Sequence, residues 1–185
     1  MLPVTERLKE IGYDGVEFAL DNQGQTVYKR FGDHLRATGL EVTCVMVVGP
    51  GENPVSESAA VRAKALDRLR EAIDCTHALG SKIICGPFHS AFATFTRRAP
   101  EAVEYHRSIE VSRADGEHTA QAGVTLTPEA LQPGCRQWKN TRSPRNAVMK
   151  GNKGFCVGVL VGFLIHFRLA GIVITVCRRT WITEG

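Results

Sequence analysis

No two cysteines in this 185-residue sequence stand in a CxxC arrangement. The six, at 44, 75, 85, 135, 156 and 177, are scattered, which argues against a structural zinc site and against a disulfide framework. No GxGxxG fingerprint follows any strand-like run, which weakens a nucleotide-binding reading. No signal peptide opens the chain: "MLPVTERLKEIGYDG" is amphipathic and charged from the start, so a cytoplasmic protein is expected. Acidic side chains all but vanish after Gln132. Residues 133–185 hold nine Lys/Arg and one acid, Glu184, a net of +8. Residues 1–132 keep 14 basic and 18 acidic side chains, a net of −4. The overall +4 therefore belongs to the tail, and no nucleic-acid partner is expected of the first part. Both tryptophans, 138 and 181, also lie in the tail.

One pattern is repeated in what remains. A helix-like segment ends in a small residue or Leu, then Gly, then a short β-rich run. It occurs as "LKEIGYDGVEF", "LRATGLEVTCVMVV", "THALGSKIICGPF" and "AQAGVTLTPEAL". Gly12, Gly39, Gly80 and Gly123 each fit the left-handed residue that closes a last helical turn. The runs after them favour Val, Ile, Thr and Phe, as buried strands do. Cys44 and Cys85 fall inside such runs and read as small core residues. A helix is expected between Ser56 and Leu79, capped by Ser56 or Ser58, with Val61, Ala65, Leu66, Leu69, Ile73 and Ala78 on one apolar face. A second is expected from Pro100 to Gln121, with Gly116 weakening its last turns.

Four alternations of helix and strand are the signature of βα units with parallel strands. An open doubly wound sheet and a (β/α)8 barrel are the two closures. In a barrel the chemistry sits at the C-terminal strand ends. Those ends carry Gly49–Pro50–Gly51, then Gly86 to Ser90, then Pro128 and Glu129, with Glu17 in or near the end of the first visible strand.

Together, "ERLKEIGYDGVEFAL", "GLEVTCVMVVGPGENPVS", "AKALDRLREAIDCTHALGSKIICGPFHSAF" and "AGVTLTPEAL" resemble the sugar phosphate isomerase/epimerase family with the xylose isomerase-like TIM barrel. Ketose 3-epimerases of the D-tagatose and D-psicose type are the members most alike. The resemblance covers roughly residues 3–131 and implies a partial barrel, about strands 2–5 with their helices. It further implies a divalent metal (manganese, magnesium or cobalt) held by two Glu, one Asp and one His. The implied substrate is a small ketose or sugar phosphate, with proton transfer at the carbon beside the carbonyl. Glu129 matches the first metal-binding and proton-transfer glutamate, at the end of the fifth barrel strand, in a motif of the kind E-x-L-N-R-F-E. The match fails just afterwards, where Gln132, Pro133, Gly134 and Cys135 replace "NRFE". The other three ligands find no counterpart.

Each candidate also has a plainer reading. Glu129 could cap the next helix. Glu17 faces the barrel mouth, or is a paired strand carboxylate. His89 lines a sugar pocket and donates to a hydroxyl, or lies on a surface loop. Gly86 lets backbone approach a ligand, or makes a turn. His34, His77, His106 and His118 read as solvated helix residues, and Arg97 and Arg98 as a solvated loop. Hydroxypyruvate isomerase and metal-dependent apurinic-site endonuclease are alternatives on the same barrel.

Residues 133–185 form a second segment, basic and then apolar. Residues 155–177, "FCVGVLVGFLIHFRLAGIVITVC", would make a helix about 35 Å long, enough to cross a bilayer core of roughly 30 Å. His166 and Arg168 sit in its middle, and its β-branched residues and three glycines suit two strands equally. The break inside a motif fits a frameshift or truncation. A non-enzymatic, membrane-tethered or unstable product is the third reading. A half barrel exposes two sheet edges, so homo-oligomerisation is expected.

Overall fold

The computed structural model describes residues 2–21, 23–129, 165–169 and 172–177. Helix α1 (Leu2–Ile11) leads into strand β1 (Gly15–Ala19). Then follow α2 (Gln25–Thr38), β2 (Glu41–Val45), a 3-10 turn at Pro50–Glu52, α3 (Ala59–Leu79) and β3 (Ile83–Gly86). Helices α4 (Ala102–Arg113) and α5 (Gly116–Ala122) precede β4 (Thr125–Pro128). Two further strands, β5 (Ile165–Leu169) and β6 (Ile172–Cys177), end the described chain.

The six strands form one sheet in the order β4-β3-β2-β1-β6-β5. The four strands β1 to β4 are parallel and stand in sequence order. A doubly wound sheet reverses its order at a switch point, whereas barrel strands advance in one direction. The observed order is that of the barrel, and the fold is a partial (β/α)8 barrel.

The alternating side chains of each strand sort into two faces. Val16 and Phe18 of β1, Cys44 of β2 and Ile84 of β3 are buried and join Leu8, Tyr28, Leu35, Leu69, Ile73 and Leu79 in one core beneath the helices. Phe18 meets Phe31 of α2 with ring centroids 5.5 Å apart. The intervening residues, Glu17, Thr43, Val45, Cys85 and Thr127, take the opposite, inner face of the barrel. Gly32 lets α2 and α3 touch: a Cβ there would lie 2.2 Å from the Leu79 carbonyl oxygen.

Gly12, Gly39, Gly80 and Gly123 all take positive φ, as the repeated pattern requires. At Gly39 the cap is complete, with Gly39 N–H donating to the Arg36 carbonyl and Leu40 N–H to that of Leu35. Pro128 costs β4 no ladder bond. Thr125 and Glu129, an odd number of residues away, donate to Lys82 and Gly86 of the β3 side, so residue 128 points away from β3.

Several expectations are corrected. The helix expected over 100–121 is two helices, broken at Ala114 and Asp115. The first begins not at Pro100 but after Glu101, whose carboxylate forms a reciprocal capping box with Glu104. Helix α3 starts at Ala59, and its Ser58 cap makes no side-chain bond. Its buried face runs through Ala65, Arg68, Leu69, Ala72, Ile73 and Thr76, so Val61, Leu66 and Ala78 lie at its margin.

Residues 155–177 do not form a single helix, because β5 and β6 occupy much of that span. They make an antiparallel hairpin, with β6 antiparallel to β1. Among the described residues no helix is long and apolar enough to cross a membrane. The remainder of the 133–185 segment, with the break at Gln132, lies outside the described residues.

Candidate functional site at the inner face and strand ends

Glu129 follows β4 directly. Its backbone N–H donates to the Gly86 carbonyl at 2.9 Å, so it sits beside the tip of β3. On the inner face, the Cys85 thiol donates to Glu17 Oε2 at 3.1 Å and to the Cys44 carbonyl at 3.2 Å. Thr127, in register with Cys85, donates its hydroxyl to the Ile84 carbonyl at 3.0 Å. Glu17 of β1, Cys85 of β3 and Glu129 just past β4 thus share one electrostatic neighbourhood.

Desolvation raises the Glu129 carboxyl above its ordinary range, and the Glu17 charge raises it further, although much of the side chain is exposed. The sign of the linkage follows. A carboxyl raised on folding contributes stability below its unfolded value of about 4.5, and that contribution is lost as pH climbs through the folded value. Burial first, and then its bond to Glu17, push the Cys85 thiol well up, so it is the neutral S–H donor near pH 7.

His89 is half-buried, and burial lowers its imidazole pKa. Its carbonyl accepts from the Ser108 hydroxyl at 2.8 Å, which ties the loop after β3 to α4. Gly86 has φ +119°, and a Cβ there would meet the Met46 carbonyl oxygen at 2.3 Å. Close packing against β2 therefore demands glycine at this position. Asn53 joins the two mouth loops, its side-chain oxygen accepting from Val55 and Ala91 N–H groups. Buried Arg68 of α3 donates to the Leu20 carbonyl at 2.6 Å and fixes the exit of β1.

The sequence carries no functional reading of Asn53 and Arg68, and Cys85, expected in the core, is instead half-buried on the inner face beside Glu17. Only Arg68 left a signal, a cation set between Ala65 and Leu69 on an apolar helix face. Three of the four helix histidines also make hydrogen bonds, while His77 stays exposed and His34 and His118 are half-buried. His34 pairs with Thr5 at 2.6 Å, His77 with the Ala122 carbonyl at 2.9 Å and His118 with Asp74 at 2.8 Å.

No curated protein matches the sequence significantly. Solved structures do match in fold. A D-psicose 3-epimerase crystallised in the presence of D-fructose superposes with a TM-score of 0.65 at 21% identity, over 72% of this chain and 47% of that one. An L-ribulose 3-epimerase gives 0.63 at 23% identity, over 69% and 44%. A D-allulose 3-epimerase from Methylomonas sp. in complex with D-allulose gives 0.63 at 20%, over 71% and 47%. The chain spans about half the length of these structures. The xylose isomerase-like TIM barrel family model matches residues 5–146, which carries the likeness past Gln132. On that match and the barrel-ordered strands, the chain belongs to the xylose isomerase-like TIM barrel family.

Proposed function

We propose that this chain carries one half of a sugar isomerase/epimerase site, in which Glu129 moves a proton at the carbon beside a ketose carbonyl. The observation that supports this most is Glu129 itself. It is a strand-end carboxylate, held beside Gly86 and raised in pKa by desolvation and by Glu17. Raising a carboxylate toward neutral pH strengthens it as a base. Taking a proton from the sugar carbon leaves an enediolate and the proton on Glu129, and an acid on the other face, which would come from the other half of the site, returns a proton and inverts the centre. In this reading Glu17 bounds the sugar on the inner face and His89 bounds it from the loop after β3, with Gly86 shaping the start of that loop.

Manganese, magnesium or cobalt, which the family resemblance implies, takes several oxygen ligands. The described residues bring two carboxylates and a thiol to the inner face. Among them no three His, Cys, Asp or Glu converge on one point. That donor set does not fit the metal.

A chimaera tests the reading. Residues 132–185 are replaced by the corresponding later strands and helices of a ketose 3-epimerase, that enzyme's first barrel strand is placed ahead of α1, and conversion of D-fructose to its C3 epimer is followed. Activity is expected, and Glu129→Gln in the chimaera is expected to reduce it about 10²–10⁴-fold, the range for a lost general base. A folded chimaera with an occupied metal site that is inactive, or that is indifferent to Glu129→Gln, would overturn the assignment.

A further inference from the structure

We propose that Cys85 is a positioning residue, whose thiol holds the Glu17 carboxylate against the inner face and tilts it toward the strand ends. The register supports this. Glu17 lies opposite Thr43, whereas Cys85 lies opposite Val45, two residues further toward the C-terminal end of the sheet. Strands β1 and β3 are separated by β2, so their axes stand about 9–10 Å apart. Glu17 can meet the Cys85 sulfur at 3.1 Å only by lying diagonally across β2. That diagonal runs toward Gly86, the residue that also receives the Glu129 N–H. Ala19, next after Glu17 on the same face of β1, is small enough to leave the path open.

The thiol is anchored from behind. Its contact with the Cys44 carbonyl at 3.2 Å fixes the sulfur over β2, and the carboxylate is the charged acceptor of the two. An S–H is a weak donor, but it has one proton and two acceptors here, so Glu17 is held only while residue 85 can donate. Describing this face as a substrate wall rests on the functional reading above. The contact between Cys85 and Glu17 does not.

Raman spectra of the S–H stretch and carbon NMR of the glutamate side chains test it on the full chain. Glu17→Gln is expected to shift the Cys85 S–H band, assigned by its loss in Cys85→Ser, toward higher wavenumber as the charged acceptor disappears. Reciprocally, Cys85→Ala is expected to move the Glu17 carboxyl resonance, and Cys85→Ser to restore it toward the wild-type position. An S–H band blind to Glu17→Gln overturns the proposal. So does a Glu17 resonance displaced equally by Ala and Ser, which would mark a packing effect. Should Cys85→Ala fail to fold, the S–H band in Glu17→Gln still decides. Neither spectrum needs a sugar, so coupled spectra with an inactive chimaera would remove the functional reading and leave this contact standing.

Discussion

Supplied with manganese and a ketohexose, this chain by itself is expected to epimerise the sugar roughly 10⁴-fold or more below a full-length ketose 3-epimerase. A single general base contributes about 10²–10⁴-fold, and the polarising groups that stabilise an enediolate contribute a comparable factor. Under the function proposed above, Glu129 supplies one such base, with Glu17 as its neighbouring carboxylate. The described residues do not assemble the oxygen-rich cage a hard cation takes. Polarimetric or chromatographic assay of C3 inversion reads this directly. Turnover near that of a full-length enzyme, lost on Glu129→Gln, would show that a complete site forms in this chain.

Phe18→Ala is the substitution expected to cost the fold most. Phe18 has no exposed surface, lies on a strand paired on both sides, and packs at a tilt against Phe31. Truncating such a ring costs about 3–5 kcal/mol through lost transfer energy and the cavity left behind. Whole domains are stable by only about 5–15 kcal/mol, so this is a large fraction. For a chain of this size it corresponds to a fall in Tm of roughly 10 °C. Thermal unfolding followed by circular dichroism checks it, with Val47→Ala as the contrast, since Val47 is 49% exposed. Equal Tm shifts for the two would mean that the β1 core is not packed as described.

The helix–glycine–strand pattern was legible because each glycine marks a left-handed cap that no other residue supplies as cheaply. Four caps fixed four strand starts, and the strand after Gly123 put Glu129 at a strand end. The position of Cys85 was hidden for a physical reason. Parallel strands in a barrel are covered on both faces, so "KIICG" reads as uniformly buried and does not reveal which residues face the helices. Ile84 turns to the core and Cys85 to the inner face, and only the sheet register separates them. The break between α4 and α5 was visible only as Gly116. The 165–177 stretch was ambiguous because an apolar run of that length satisfies a helix or a hairpin equally until a pairing edge is known. The edge is β1, and β6 takes it.

Glu129 and Glu17 share the inner face, and a carbon NMR titration of the Glu129 carboxyl measures that sharing most directly. Glu129 is expected to titrate above its ordinary 4.5, and to move back toward it in Glu17→Gln. A Glu129 carboxyl that titrates at or below 4.5 and ignores Glu17→Gln would contradict it.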